Sequence, residues 1–250
     1  MYKANLVYII LLLIINNRCY SQKKITTQDL IWYGYFNTIQ FNDKYYLQSE
    51  IPERHFINPL AQHQFLFRTH FHRIAGNSGW ETSLGMCTFF HNPNDPYSTS
   101  KFTTPELRPH LEFANKQKLN CVQIDHRYRA EARFFHNTNI QNTALENGVE
   151  FLNFRFRYRL QLSYRLKNIN EKHALKVKIS DEIHINAGKK IHRNIYDQNR
   201  FYVGLSLDVN TNFTIDIGYL NWFQQRANGE YFKRDILRFT FFHKLYLKNE

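Results

Sequence analysis

Arginines occur at alternate positions, Arg155, Arg157 and Arg159 and again Arg165, in one segment of the chain, residues 150–166 (EFLNFRFRYRLQLSYRL). An arginine stays charged at physiological pH, and its guanidinium group binds carboxylates and phosphates through paired hydrogen bonds. The segments 119–135 and 173–185 carry further arginines or carboxylates with the same spacing. Ion pairing or anion binding is therefore the predicted chemistry, and the candidate site residues are Asp125, Arg127, Arg129, Glu131, Arg155, Arg157, Arg159, Glu182, Asn199 and Arg200.

This charged cluster has two interpretations. Antiparallel pairing across the loop 136–148 and the turn 167–172 would bring the three segments side by side, with Glu182 near Arg157 and Arg159. In one interpretation the ion pairs fill the interior of a closed structural barrel. In the other, the excess of positive charge forms a constriction for anions in a narrow channel. Positive charges outnumber carboxylates in these segments, so both interpretations stay open.

Metal binding and catalysis were weighed against simpler roles. His70 and His72 are two residues apart on one predicted strand face, but no nearby cysteine or carboxylate completes a zinc site. We interpret them as polar interior side chains and predict no metal and no cofactor. Ser163 and Ser180 are available as nucleophiles, but no neighbouring residue marks either as activated. We assign no catalytic residue, and a hydrolase of outer-membrane lipid or lipopolysaccharide stays an alternative function.

The alternation that groups the charged residues is that of a β-strand. Successive side chains of a strand point to opposite faces, so residues 150–166 have one apolar and one polar face. A strand much longer than usual, with one apolar and one arginine-rich face, is typical of a barrel with lipid outside and a polar interior. The apolar face contains Leu152, Phe154, Phe156, Tyr158, Leu160, Leu162, Tyr164 and Leu166.

Similar runs follow one another along the chain, separated alternately by short turns and longer polar loops. This pattern predicts an all-β fold, an antiparallel up-and-down transmembrane β-barrel. We find eleven runs, and because bacterial barrels have even strand numbers we expect about twelve strands, with ten as the alternative. The topology leaves the N-terminus on the long-loop side, so we place the miscount near that end. A loop at 52–61, a turn at 115–118 and a break at Pro109 are also expected.

The first residues have the features of a secretory signal peptide. Lys3 precedes an unbroken apolar run, residues 6–15, which is too short to span a bilayer comfortably. Cys19 and Ser21 stand at the usual positions before cleavage, which we place before Gln22. We therefore expect a signal peptide at 1–21 and a single barrel domain at 22–250, exported to the bacterial outer membrane and without a transmembrane helix.

The charge of the chain limits its partners. The formal net charge is +12, and loss of Lys3 and Arg18 with the signal peptide lowers it to +10. A basic exported chain is expected to meet outer-membrane lipid, lipopolysaccharide and small anions rather than nucleic acid. In FRFRYR the strict alternation puts arginines and aromatics on opposite faces, unlike a groove that stacks bases. Nothing in the sequence indicates a protein partner.

The strand assignment also bears on the apolar faces and on the cysteines. If the apolar faces pointed inward and the arginines outward, the chain would instead be a soluble periplasmic barrel that binds an apolar ligand.

Cys87 and Cys121 lie on predicted strands that have another strand between them. The two cysteines are then beyond the reach of a disulfide, so we expect two free thiols.

Several runs of residues, taken in order, resemble the DUF2490 family of Bacteroidota. The resemblance covers nearly all of the chain after residue 21, and it implies an outer-membrane β-barrel without implying an activity. One departure is the segment 105–110 (PELRPH), where Pro109 would interrupt strand pairing. The runs that carry the resemblance are 123–133 (QIDHRYRAEAR), 154–159 (FRFRYR), 180–182 (SDE), 197–204 (DQNRFYVG) and 218–221 (GYLN).

Overall fold

The computed structural model describes residues 23–168, 173–191 and 194–247. The expected signal peptide, including Cys19, lies outside these residues. Within them the chain forms eleven strands, and no helix there is long and apolar enough to cross a membrane. The strands are β1 (Ile25–Gln40), β2 (Tyr45–Phe56), β3 (Ala61–Ile74), β4 (Trp80–His91), β5 (Thr104–Leu119), β6 (Val122–Thr138), β7 (Leu145–Asn168), β8 (Ala174–Ala187), β9 (Tyr196–Asp208), β10 (Phe213–Gln225) and β11 (Tyr231–Tyr246).

The eleven strands close into one barrel, which confirms the predicted all-β barrel. Consecutive strands pair antiparallel, whereas β1 and β11 pair parallel, from Ile25 opposite Tyr231 to Gln40 opposite Tyr246. The expected count of about twelve was approximate. In an up-and-down barrel an odd number of strands places the first and last strands in the same direction, and the parallel pair is what allows eleven to close.

The parallel seam also fixes the two ends of the barrel. The loops after β2, β4, β6, β8 and β10 lie at the end where β1 begins, which we name the loop end. The connections after the odd-numbered strands lie at the opposite end, the turn end. The start of β1 on the loop side, which seemed to signal a miscount, is therefore a feature of this fold.

The direction of the side chains follows the alternation seen in the sequence. On β7, Arg155 and Arg157 are 5% and 8% exposed, while Phe154 and Phe156 are 49% and 50% exposed. Because the barrel is closed, the buried positions face its lumen and the exposed positions face its surroundings. A soluble barrel with an apolar interior requires the reverse arrangement.

Two prolines that were expected to end strands lie within strands. β2 continues through Pro52 to Phe56, so the expected loop at 52–61 is only 57–60. Pro52 lies opposite Gly34, where a Cβ atom would come within 3.2 Å of the proline, so the glycine allows this close approach. Proline removes one hydrogen-bond donor but leaves the flanking pairs able to form.

Pro109 likewise lies inside a strand, β5, without ending it. It lies opposite Met86 of β4, and on the β6 side the pairing passes from Leu107 directly to His110. The strand then continues to Leu119, so the turn expected at 115–118 lies instead at residues 120–121. Asn120 has a φ of 52°, a left-handed conformation that asparagine adopts more readily than most residues.

The two cysteines of the described chain are both free, as expected. Cys87 is buried on β4, and Cys121 is exposed in the turn between β5 and β6. Their different surroundings leave only the second accessible to reagents in water.

Candidate functional site in the barrel lumen

The arginines of β6 and β7 form ion pairs with carboxylates of β6 and β8. Arg157 contacts Glu182 at 2.8 Å and Glu131 at 2.6 Å, so it bridges three strands. Glu182 also accepts a hydrogen bond from Arg127 at 2.5 Å. Arg159 lies opposite Glu182 in the register, but within the described chain it forms no ion pair. The side chains of Arg157 and Arg127 therefore take the contacts that the strand register alone would give to Arg159.

The network extends to β5, the strand that was expected to break at Pro109. Glu106 is fully buried and accepts hydrogen bonds from Arg108 and Arg133, each through two nitrogen atoms. Glu112 accepts one from Arg129 at 2.6 Å. The missed signal was a period of two in β5 itself, where Glu106, Arg108 and Glu112 all point inward. Together these contacts make a charged wall, which we define by the inward side chains of β3 to β8.

Most of the predicted site residues line this wall or its border, and one does not. Asp125 accepts hydrogen bonds from Gln123 at 2.8 Å and from Gln161 at 3.2 Å. Asn199 points away from the lumen and donates a hydrogen bond to Asp181 on the outer surface. Its assignment to the lumen was wrong, because its neighbours Gln198 and Arg200 face inward and side chains alternate along β9.

Two β-bulges bring further polar side chains into the lumen. The register of β2 and β3 shifts beside Arg54, leaving His63 as an extra residue, and that of β8 and β9 shifts beside His184, leaving Asp197. The spacing from His63 to His70 is odd, which in a regular strand would put them on opposite faces, yet the side chain of His63 is fully buried as well. Asp197 pairs with Arg155 at 3.0 Å. A bulge adds one residue on one strand, and strict alternation along a sequence contains no signal for it.

The opposite side of the lumen contains a cluster of buried apolar side chains. We name it the aromatic wall, formed by inward side chains of β1, β2 and β9 to β11. Trp32 and Trp222 meet edge to face, with ring centroids 5.6 Å apart. Their indole rings are buried inside the barrel. The buried apolar members are Leu30, Trp32, Phe56, Tyr202, Leu220, Trp222 and Ile236.

Four arginines lie against the aromatic wall without an ion-pair partner among the described residues, namely Arg54, Arg200, Arg234 and Arg238. The guanidinium carbon of Arg54 is 4.0 Å from the centre of the Trp32 ring, and Arg54 donates a hydrogen bond to Gln64 at 2.5 Å. Arg200 lies 4.8 Å from the Trp222 ring. Like Arg54, Arg234 and Arg238 donate hydrogen bonds to neutral side chains, whereas Arg200 has no hydrogen bond within the described residues. The aromatic faces attract these cations without cancelling their charge.

Two cavities in the described part of the lumen share Arg54 and Arg200 as lining residues. The cavity at the loop end has a volume of about 900 Å³, and the cavity at the turn end about 380 Å³. We name the region they share the constriction and the larger cavity the loop-end chamber.

The loop between β4 and β5, residues 92–103, closes over part of the loop-end chamber. The side-chain oxygen of Asn94 accepts a hydrogen bond from Arg234 at 3.0 Å and lies 3.2 Å from the His63 ring nitrogen. Its backbone oxygen accepts one from Gln28 at 2.8 Å. Asn94 therefore ties the loop to β1, β3 and β11 across the mouth of the barrel.

Comparison with known proteins identifies the family of this chain. A family model described as "Protein of unknown function (DUF2490)" matches residues 30–233. The chain belongs to the DUF2490 family. No curated protein sequence matches it. Among solved structures it is similar to the NanC porin in a rhombohedral crystal form, at 10% identity and a TM-score of 0.43, over 81% of this chain and 90% of that one.

The histidines of this DUF2490 member form contacts that do not resemble a metal site. A ring nitrogen of His70 lies 3.0 Å from one of His110, and its other nitrogen lies 3.3 Å from Glu50. His72 stacks on Tyr46, with ring centroids 4.2 Å apart. Within the described residues, no three histidine, cysteine or carboxylate side chains are grouped so that they could hold a metal ion.

The serines considered as nucleophiles are buried in the charged wall of this DUF2490 barrel. Ser163 lies 3.5 Å from the Gln161 amide nitrogen, and Ser180 faces the turn-end cavity. In the part of the chain that the structure describes, no serine hydroxyl is hydrogen-bonded to a histidine. The geometry thus adds no activating partner to either serine.

Proposed function

We propose that this chain is an outer-membrane barrel whose lumen is a narrow passage for small anions. The outward faces carry large exposed apolar side chains such as Phe154, Leu162 and Leu205, as lipid contact requires. The partners we propose for this outer surface are therefore outer-membrane lipid and lipopolysaccharide. The solutes we propose for the lumen are small anions.

The observation that carries the proposal is the pair of arginines at the constriction. Arg54 and Arg200 line both cavities and keep their charge unbalanced by any carboxylate within ion-pair distance. A cation in a narrow space bounded by protein attracts anions and repels cations more strongly than it would in bulk water. Rings of arginine or lysine are a known means of anion selection in pores.

The two interpretations of the arginines then apply to different residues. Arg129, Arg133 and Arg157 are buried and ion-paired, so their role in this proposal is to hold the charged wall together. Arg54 and Arg200 have no such partner, so their role is selection. A closed structural barrel would need no unbalanced charge between its two cavities.

The test is electrical measurement of residues 22–250 refolded into a planar bilayer. With different KCl concentrations on the two sides, the reversal potential gives the ratio of chloride to potassium permeability. We expect the unaltered barrel to prefer chloride and the double variant Arg54→Gln, Arg200→Gln to lose most of that preference. The control is Arg73→Gln, which removes a charge from the exposed outward face of β3 and should leave the ratio unchanged.

Two results would contradict the proposal. Insertion shown by heat-modifiable gel migration, but without current, would mean that the lumen is closed. A chloride preference that survives the double variant would place the selective charge elsewhere in the lumen.

A further inference from the structure

We propose that the constriction and the floor of the loop-end chamber form a saturable binding site for a small organic oxyanion, either a carboxylate or a phosphate ester. This inference deepens the channel proposal and rests on it, because it names what the passage would hold. The protein side of the site consists of Arg54, Arg200, Gln64, Gln198 and Trp222, all of which line the chamber.

The first argument is that the hydrogen-bonding capacity of Arg200 is unused. A guanidinium group has five N–H donors, and within the described residues Arg200 donates none of them. Its Nε atom is buried and without a partner, as is the Nε atom of Arg54. Burying such a cation without a compensating partner is costly, so an oxyanion at this position would supply the missing acceptors.

The second argument is that the site is held in place before any ligand arrives. Gln64 accepts a hydrogen bond from Arg54 while Trp32 covers the arginine face, which leaves the arginine edge available. Trp222 donates a hydrogen bond to Gln198 at 2.6 Å, and the Gln198 amide lies 2.7 Å from a ring nitrogen of His184. Fixed donors lose little entropy on binding, which favours affinity.

The third argument concerns the other cations of the chamber. Arg108 and Arg133 also line it, but both are committed to Glu106, and Arg155 is committed to Asp197. An incoming anion would have to displace a buried carboxylate to use them. The free binding capacity is therefore concentrated at the constriction.

The size and lining of the chamber indicate an organic anion rather than a bare halide. A volume of about 900 Å³ lies within the range of small-molecule sites, roughly 300–1,000 Å³. Above the arginines the walls offer carboxamides, hydroxyls and aromatic rings, which suit a ligand body that is both polar and carbon-based. These groups are Asn92, Ser100, Phe102, Thr104, Phe135 and Gln224. The walls also include the carboxylates of Glu146 and Glu150, the second of which pairs with Lys190.

The experiment measures binding without requiring current. The refolded barrel in detergent carries three tryptophans, and Trp80→Phe leaves only Trp32 and Trp222, both beside the site. Their fluorescence would be followed during titration with glycerate, glycerol 3-phosphate and glycerol at constant ionic strength. We expect a saturable change with at least one of the two anions and none with neutral glycerol, and the two anion titrations distinguish carboxylate from phosphate.

Variants then assign the binding to the site. Arg200→Gln should weaken binding of the anion about 10- to 100-fold, because charge-assisted hydrogen bonds are lost. Arg200→Lys should weaken binding less, because the positive charge remains. Arg73→Gln should bind like the unaltered barrel. Heat-modifiable gel migration shows whether each variant is folded. If Arg200→Gln does not fold, anion binding by Arg200→Lys is compared with that of the unaltered barrel instead.

The outcomes separate this inference from the channel. Saturable binding without conductance would refute the channel and leave the site standing. Conductance without saturable binding, binding that glycerol matches, or binding unchanged in Arg200→Gln would overturn the site.

Discussion

Replacing Arg157 with leucine is expected to destabilise the barrel by about 3 kcal/mol. Arg157 is buried and is the closest cation to Glu131, at 2.6 Å. After the substitution the nearest remaining cations of Glu131 are Arg129 at 3.7 Å and Arg108 at 4.0 Å. Removing one partner of a buried ion pair typically costs about 3–5 kcal/mol, because the other charge stays buried without compensation.

The lower end of the range of about 3–5 kcal/mol is expected because Glu182, the second carboxylate that pairs with Arg157, keeps another cation. Glu182 loses Arg157 but keeps its contact with Arg127 at 2.5 Å, so only one carboxylate is left without a close cation. The same reasoning predicts a partial rescue. Adding Glu131→Gln to Arg157→Leu removes the uncompensated charge and should recover about 1–2 kcal/mol, by the usual cost of an unpaired buried group.

The assay is equilibrium unfolding in urea of the barrel refolded into lipid vesicles, followed by tryptophan fluorescence. Arg159→Leu is the matched control, because Arg159 faces the same lumen two residues along β7 but has no ion pair within the described chain. We expect it to cost under about 1 kcal/mol, as is usual for changes outside a buried network. Equal destabilisation by the two leucine variants, or no rescue in the double variant, would refute the assignment of the ion-pair network.

Two further changes test the loop and the packing of the lumen. Asn94→Ala should raise single-channel conductance, since the loop loses its tether across the mouth of the barrel. It should also lower the free energy of unfolding by about 1–3 kcal/mol, because Arg234 loses a hydrogen-bond acceptor. Unchanged conductance would contradict the tethering role. Gly85→Ala should lower the free energy of unfolding by about 1–3 kcal/mol, because the added Cβ would clash with the backbone oxygen of Thr69 and lie 2.5 Å from a His110 ring nitrogen. Thr88→Ala, outward on the same strand, is the control for gel-shift melting, and equal melting temperatures would show that the lumen absorbs the methyl group.

The parts of the fold that were predictable are those where alternation is uninterrupted. Arg155, Arg157 and Glu182 lie on long regular strands, so their inward direction could be read directly from a period of two. His63 and Asp197 could not be placed, because each is the extra residue of a bulge and bulges depend on the pairing between two strands. The number of strands that closes the barrel is likewise a property of the whole sheet.

Arg54 is the most important lumen residue that the sequence analysis did not include among the candidate site residues. Pro52 made its segment look like a loop, because proline is rare inside strands. The structure accommodates the proline through the missing side chain of Gly34 on the facing strand, a compensation separated from it by eighteen residues of sequence. One of the two arginines of the constriction therefore escaped sequence analysis, because the rule against proline inside a strand does not take account of Gly34 on the facing strand.

The division of the lumen into two walls explains why charge remains unbalanced at the constriction. The carboxylates that hold most of the arginines lie on β5, β6 and β8, as Glu106, Glu131 and Glu182. Arg54 and Arg200 lie on β2 and β9, against tryptophans of the aromatic wall. A carboxylate would fix such a cation and neutralise it, whereas an aromatic ring fixes it and leaves the positive field intact. In the proposed function, the ion pairs of the charged wall supply stability and the arginines against the aromatic wall supply selectivity, two roles that compete when one arginine must serve both.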